Sequence, residues 1–122
     1  MSRNNHILQT LASLKKSKFR SKFKLTGKDR QYIQDKGIDT IRQHALDFIK
    51  TRIAAQVPKN DGKQTPMKGH PVFIAQHATA TCCRGCIQKW HGINKGRVLN
   101  DQEIELVVGL VIGWIVEQLG SI

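Results

Sequence analysis

The chain has 122 residues, 39% of them hydrophobic, and a formal net charge of +11 at pH 7. This length is most simply one domain with a modest core, and the three cysteines, an odd number with two adjacent, argue against a disulfide framework. The longest apolar run, residues 106–116, is about half of what a bilayer-spanning helix needs, so no membrane-spanning segment is predicted.

The N-terminal part of the chain is strongly basic. Residues 1–30 hold nine Lys or Arg and one acid, whereas residues 99–122 hold four acids and no Lys or Arg. We predict a basic, partly disordered arm over residues 1–24, in which Phe19 and Phe23 would lie one turn apart in a helix. Its charge favours polyanionic partners, above all nucleic acid. The alternative is a solvated leader whose two Phe pack on the core.

Residues 25–122 are predicted to be a single α-helical domain. Thr26 and Asp29 form a capping signal for a first helix, which Gly37 ends. A second helix begins at Asp39 or Thr40, and its apolar residues follow the 3.6-residue period: Ile41, Ala45, Phe48, Ile49 and Ile53.

Residues 56–71 read as a loop, because two prolines border a run rich in Gly, Asn and Asp. The loop is long for so small a domain, and long ordered loops are often functional. It carries Lys63 and Lys68, which suit phosphate contacts. The alternative is a flexible connector.

The rest of the chain predicts three more helical pieces. Pro71 suits the first turn of one, a second ends at Gly92, and Asn100 with Glu103 caps the last. The inner stripe of the last helix is Ile104, Val108, Val111, Ile115 and Leu119. Its wider apolar face, which Val107, Leu110 and Trp114 extend, indicates a central helix or a homodimer contact. A strand over residues 106–112 stays open as an alternative.

These elements predict a mainly α protein, a small single-domain helical bundle with a long ordered loop and a Cys/His-rich helix junction. The N-terminal residues lack an uninterrupted apolar core and a cleavage site, so no secretory signal is predicted. We therefore expect a cytoplasmic protein with reduced thiols.

All three cysteines and three of the five histidines fall within residues 70–93. Cys83 and Cys86 have the spacing of a metal clasp, and His91 follows after four intervening residues, as at the start of a zinc knuckle. No later Cys completes that pattern, so the fourth ligand must lie upstream. The upstream candidates are His77, Cys82 and His70.

On one helix Cys82 and Cys83 would point about 100° apart, which disfavours their binding the same ion. The preferred ligand set is therefore His77, Cys83, Cys86 and His91, with Cys82 as the first substitute. Mixed thiolate and imidazole ligands suit zinc, and an iron–sulfur cluster is the alternative cofactor. Two other interpretations stay open: buried structural thiols with hydrogen-bonded histidines, or a Cys82 or Cys83 nucleophile with a histidine base.

The run NDGKQTPMKGHPVFIAQHATATCCRGCIQKWHGINKGRVL resembles the domain-of-unknown-function 4186 family of small, mainly bacterial proteins. The similarity extends from about Phe19 to Trp114. One departure is that the family pattern has Ile-Pro-Lys-Gly where this chain has Ile-Asn-Lys-Gly, from Ile93 to Gly96. The resemblance implies that residues 60–70 and the Cys/His segment belong to one unit. It implies no activity and does not select among the ligand sets.

Together these features predict a small metal-binding helical module that contacts nucleic acid, with affinity that falls steeply as salt rises. An enzyme with thiol chemistry or an open-coordination metal site, such as a hydrolase, is one alternative, and an interaction protein without a site is another. The predicted nucleic-acid-binding residues are Lys15, Lys16, Lys18, Arg20, Lys22, Lys24, Lys63, Lys68, Lys95 and Arg97.

Overall fold

A computed structural model describes residues 3–120, with side chains from residue 5 onwards. Within residues 3–120 all the regular secondary structure is helical, which confirms the mainly α class. Residues 106–112 belong to a helix, so the strand alternative for them is wrong. The helices are α1 Arg3–Leu14, α2 Lys18–Ser21, α3 Gly27–Lys36, α4 Ile38–Arg52, α5 Pro71–Ala78, α6 Arg84–His91 and α7 Asp101–Leu119. None of them, within the described range, is long and apolar enough to cross a membrane.

Helix α7 lies at the centre of the bundle, packed against α1, α4 and α5. Its inner stripe is buried as predicted up to Ile115, but Leu119 is 41% exposed, so that part of the prediction is wrong. The three residues that widen this face are buried too: Val107, Leu110 and Trp114. Because packing within the chain already covers these three side chains, they are not free to pair subunits. A homodimer through the C-terminal helix stays a prediction.

The predicted caps of two helices form as complete capping boxes. Asp29 N–H donates to Thr26 Oγ1 over 3.1 Å, and Thr26 N–H donates back to Asp29 Oδ2 over 3.0 Å. Asn100 and Glu103 exchange the equivalent pair of bonds at the start of α7. Both signals are local in sequence, which is why they could be read directly.

Helix α1, which lies within the predicted arm, packs against α7. Ile7, Leu11 and Leu14 recur at helical spacing and are buried, with Leu11 1% exposed. Gly109 lets α1 approach α7 closely, since a Cβ there would lie 2.8 Å from Ile7 Cδ1. Residues 3–14 form α1, while the partly disordered arm and its boundary at residue 24 stay predictions. The helical spacing of Ile7, Leu11 and Leu14 was the available sequence signal for this helix.

The long loop and α5 contribute buried residues to the interior. All eight residues of α5 are buried, so this helix runs through the interior. Gln64 and Thr65 of the loop are also buried, and Gln64 Oε1 accepts a 2.7 Å hydrogen bond from Gly62 N–H. These contacts confirm the prediction of an ordered loop.

Candidate metal centre

The chain reverses sharply between α5 and α6, and the cysteines follow this turn. Ala80 has a left-handed backbone with φ of 58°, and its side chain is fully buried. The hydroxyl of Thr79 donates to Ala75 O over 2.8 Å and lies 3.0 Å from the hydroxyl of Thr81. A non-glycine residue in this region costs free energy, so the surrounding packing must hold it there.

Cys83 is the N-cap of α6. Its backbone is extended, and its Sγ accepts a hydrogen bond from Cys86 N–H over 3.4 Å. Cys82 lies just before the cap, with its carbonyl accepting from the Thr65 hydroxyl over 2.7 Å. Since Cys82 and Cys83 both precede the helix, the 100° separation argued for a continuous helix does not apply to them.

The three cysteine sulfurs converge on one point. Sγ of Cys86 lies 3.2 Å from that of Cys83 and 3.6 Å from that of Cys82, and all three sulfurs lie within 4.8 Å of one another. Cys82 is buried, and the other two are partly exposed. The structure therefore brings together Cys83 and Cys86, which belong to the preferred ligand set, and Cys82, which was the first substitute. Such a group of thiols could hold a metal ion.

His77 and His91 lie outside this group, although both were in the preferred ligand set. His77 Nε2 lies 3.2 Å from Thr65 O and 3.1 Å from Pro66 O, and His91 Nε2 lies 2.7 Å from Thr79 O. Carbonyls only accept, so each Nε2 carries a proton that it donates to the backbone. Burial lowers the pKa of His91, which keeps that ring neutral.

His70, the third upstream candidate, is engaged elsewhere. Its Nδ1 accepts from Val72 N–H over 3.0 Å and so caps the N-terminus of α5. Its Nε2 lies 3.0 Å from Nδ1 of His44. Both ring nitrogens are therefore occupied within the chain.

Arg20 closes the cysteine group from the side of α2. Its Nη2 lies 3.2 Å from Sγ of Cys86, and its Nη1 lies 3.8 Å from Sγ of Cys82 and donates to His77 O over 2.7 Å. A guanidinium next to sulfur favours the thiolate form. Sequence analysis assigned Arg20 to nucleic acid, whereas the structure gives it contacts in the cysteine group.

The three thiols differ in acidity. The hydrogen bond with Cys86, and secondarily Arg20, lower the pKa of Cys82 against the effect of burial. The same hydrogen bond, together with burial, raises the pKa of Cys86, and burial raises that of Cys83. Cys82 is therefore the first of the three to lose its proton, and the three sites titrate as a coupled set.

Arg84 is a buried residue of this region that the sequence analysis missed. It is 0% exposed, and its guanidinium donates to carbonyls of three successive residues after α4, Ile53 (3.4 Å), Ala54 (3.5 Å) and Ala55 (2.9 Å). It also donates to Asn94 O over 2.9 Å. Its position among the three cysteines, after Cys82 and Cys83 and two residues before Cys86, was the available signal.

The predicted nucleic-acid-binding residues are, apart from half-buried Arg20, exposed. Two of them are ion-paired: Lys15 with Glu117 at 3.2 Å, and Arg97 with Glu103. Phe19, between the cations of α2, is 47% exposed, and its ring centroid lies 4.4 Å from Lys22 Nζ. Phe19 and Phe23 meet edge to face at 5.3 Å, although α2 ends at Ser21, before Phe23.

A bundle of helices that presents a cluster of three cysteines belongs to the broad class of small all-α proteins with a potential metal site. Residues 8–116 match the family described as "Domain of unknown function (DUF4186)". That match covers most of the chain, and the protein is a member of this family. No solved structure matches it.

Proposed function

We propose that this protein binds one zinc ion through the thiolates of Cys82, Cys83 and Cys86, and that the loaded module contacts nucleic acid. The observation that carries the metal proposal is the convergence of the three sulfurs within 4.8 Å. Thiolate ligands require reduced cysteines, which fits a reducing compartment such as the cytoplasm.

The sulfur geometry fits a single ion. Two thiolates on one tetrahedral zinc stand about 3.8 Å apart, because each Zn–S bond is about 2.3 Å. The separations of 3.2 and 3.6 Å would need to open by only a few tenths of an ångström, roughly, to reach that value. A four-iron cluster binds each thiolate to a different iron and needs sulfurs further apart, so zinc is favoured over iron–sulfur.

The fourth coordination position would be filled by an imidazole or by water. His77 and His91 both hold their Nε2 proton on a backbone carbonyl, the arrangement that orients metal-binding histidines. Either Nδ1 could serve as a ligand after a side-chain movement. A closed four-residue site would be structural, and a water ligand would make the site an open one.

Cobalt substitution tests the ligand set. The reduced protein titrated with Co²⁺ is expected to develop thiolate charge-transfer and tetrahedral visible bands at about one equivalent. C86S should lose charge-transfer intensity and bind Co²⁺ more weakly, while H77A and H91A, compared with each other, identify an imidazole ligand. Unchanged spectra in C82S, C83S and C86S would contradict the proposal.

The nucleic-acid part of the proposal is supported by charge and exposure. The net charge of +11 includes exposed lysines on both sides of α2, and the exposed Phe19 ring beside them suits stacking with a base. Binding of this kind releases counterions and therefore weakens steeply with salt.

A fluorescence-anisotropy titration with a labelled single strand of about 20 nucleotides tests this part. K16Q/K18Q/K22Q/K24Q should weaken binding by roughly tenfold or more and flatten the salt dependence, and the matched control K36Q/K50Q/K59Q/K89Q should change it much less. Equal losses in both variants, or affinity independent of salt, would count against a nucleic-acid surface at α2.

Thiol redox chemistry is a second candidate, favoured by one observation. Cys83 and Cys86 lie at the N-terminus of α6 with their sulfurs 3.2 Å apart, close enough to join with little movement. Oxidation by glutathione disulfide would form one disulfide, with two thiols oxidised and two glutathiones released. Alkylation and mass analysis across a series of glutathione ratios would measure the potential; a disulfide that forms only under strong oxidant would rule out this role.

A further inference from the structure

An open pocket lies between α3 and the start of α5, and its lining includes none of the cysteines. We propose that it binds a small organic anion, one that joins a single carboxylate or phosphate charge to an apolar body. Its volume is about 630 Å³, within the range typical of small-molecule sites. The residues that carry the argument are Lys28, Tyr32, Lys68, His70, Pro71 and Ile74. This site is independent of the metal proposal.

The walls of the pocket are apolar and held in place. Pro71 and Ile74 are buried, and the rings of Tyr32 and His70 meet edge to face at 5.2 Å. Because Val72 N–H donates to Nδ1 of His70, the ring proton lies on Nε2 and is donated to His44. Two hydrogen bonds therefore fix the His70 ring, and a preformed wall lowers the ordering cost of binding.

Further aromatic rings support the same wall. The ring of Phe48 lies 5.1 Å from that of His70, and the ring of Phe73 lies 5.6 Å from it. Burial first, and then the electrostatic influence of His44, lowers the pKa of His70 to about 4, so this ring contributes no positive charge near neutral pH. An apolar, neutral surface of this kind suits the body of a ligand rather than its charged group.

The charge at the pocket comes from two lysines that approach from different segments. Lys28 belongs to α3 and Lys68 to the loop, and both are exposed. Asp29 also lines the pocket, but its Oδ2 accepts from the backbone and the hydroxyl of Thr26 in the capping box. Two cations and one carboxylate leave a formal charge of +1, which matches a monoanion.

Chemical-shift mapping with three probes tests the proposal: 2-naphthoate (body and charge), 2-naphthalenemethanol (body alone) and acetate (charge alone). We expect 2-naphthoate to shift the amide signals of Tyr32, Gly69 and Ile74 and to bind at least about fivefold more tightly than the alcohol. Acetate should cause no comparable shifts. Binding of the alcohol as tight as that of 2-naphthoate, or shifts confined to other surfaces, would overturn the proposal.

Two lysine pairs provide the matched variants. K28Q/K68Q should weaken 2-naphthoate by about tenfold, whereas K59Q/K63Q, which changes two exposed loop lysines outside the pocket, should leave it within about twofold. No loss in K28Q/K68Q would also overturn the proposal. C86S should bind 2-naphthoate normally, so failure of the metal proposal and failure of this one are separable.

Discussion

Arg20 links the N-terminal helices to the cysteine junction through its contacts with Cys86, Cys82 and the carbonyl of His77. Its positive charge offsets the negative charge that would develop as the thiols ionise. In a site with three thiolates and one divalent ion, the formal charge is −1, and Arg20 brings it to zero. N–H donors in such positions tune the affinity of the ligands they contact.

We therefore predict that R20Q lowers zinc affinity by about tenfold or more, because the guanidinium no longer supports the thiolates. The neighbouring variant K18Q removes an exposed charge from the same helix and should stay within about twofold. Competition with a chromophoric chelator measures both. If R20Q binds zinc like the unmodified protein, the role assigned to Arg20 at the cysteines is incorrect.

His70 makes stability depend on pH. Burial first, and then His44, lower its pKa from 6.5 in the unfolded chain to about 4 in the folded one. The folded state thus binds fewer protons, so the stabilisation is complete above pH 6.5 and is lost as the pH falls towards 4. We expect a loss on the order of 2 kcal/mol in the free energy of unfolding across that window.

Urea unfolding of wild type and H70N at about pH 7.5 and about pH 4.5 tests this contribution. Asn is a good N-cap and should preserve the start of α5, but it does not titrate. The free energy of unfolding should therefore fall less with acidification in H70N than in the wild type. The same fall in both proteins would assign the pH dependence to other groups.

At the scale of elements, Arg84 joins the end of α4 to α6 and to the loop at Asn94. Its donors satisfy carbonyls after the last turn of α4, where a helix leaves acceptors without intrahelical partners. A cation there also interacts favourably with the negative end of the helix dipole.

R84M keeps the length of the side chain but removes the donors, and we predict a loss of about 3 kcal/mol in the free energy of unfolding, since buried carbonyls are left unpaired. R42M is the matched control, because Arg42 makes an exposed ion pair with Glu105, and it should cost less than about 1 kcal/mol. Urea unfolding measures both variants. Similar losses in the free energy of unfolding would contradict the stabilising role assigned to the hydrogen bonds of Arg84.

Helix α1 is predicted to contribute to stability rather than to hang from the bundle. L11A should cost about 3 kcal/mol, since Leu11 is 1% exposed and truncation leaves a cavity against α7. L8A is the control, because Leu8 lies three residues earlier in the same helix but is 55% exposed, and it should cost about 0.5 kcal/mol or less. Near-equal values would indicate that residues 3–14 do not pack as described.

The sequence predicted the features that depend on neighbouring residues. Capping at Thr26 and Asn100 follows from side chains three positions apart, and the inner stripe of α7 follows from helical periodicity. It could not predict contacts between distant residues. Arg20 reaches sulfurs more than sixty positions later, at separations of 62 and 66. The turn at Ala80, which brings Cys82 up to the start of α6, has no sequence signature because a non-glycine residue rarely adopts that backbone.

At the scale of the whole molecule, the cysteine junction lies where α2, α5 and α6 meet, so an ion there would tie the N-terminal helices to the core. Small domains bury a limited share of their surface, and metal binding then adds directly to folding stability. The same junction lies next to the exposed lysines of α2. Metal occupancy and the geometry of the proposed nucleic-acid surface are therefore expected to be coupled through Arg20.

The central claim is that Cys82, Cys83 and Cys86 bind one ion. The most direct test is elemental analysis of protein purified under reducing conditions without chelator, together with C82S/C83S/C86S prepared in the same way. We predict about one zinc per chain in the unmodified protein and less than about 0.1 in the variant. No metal in the unmodified protein, or the same zinc content in both, would contradict the account.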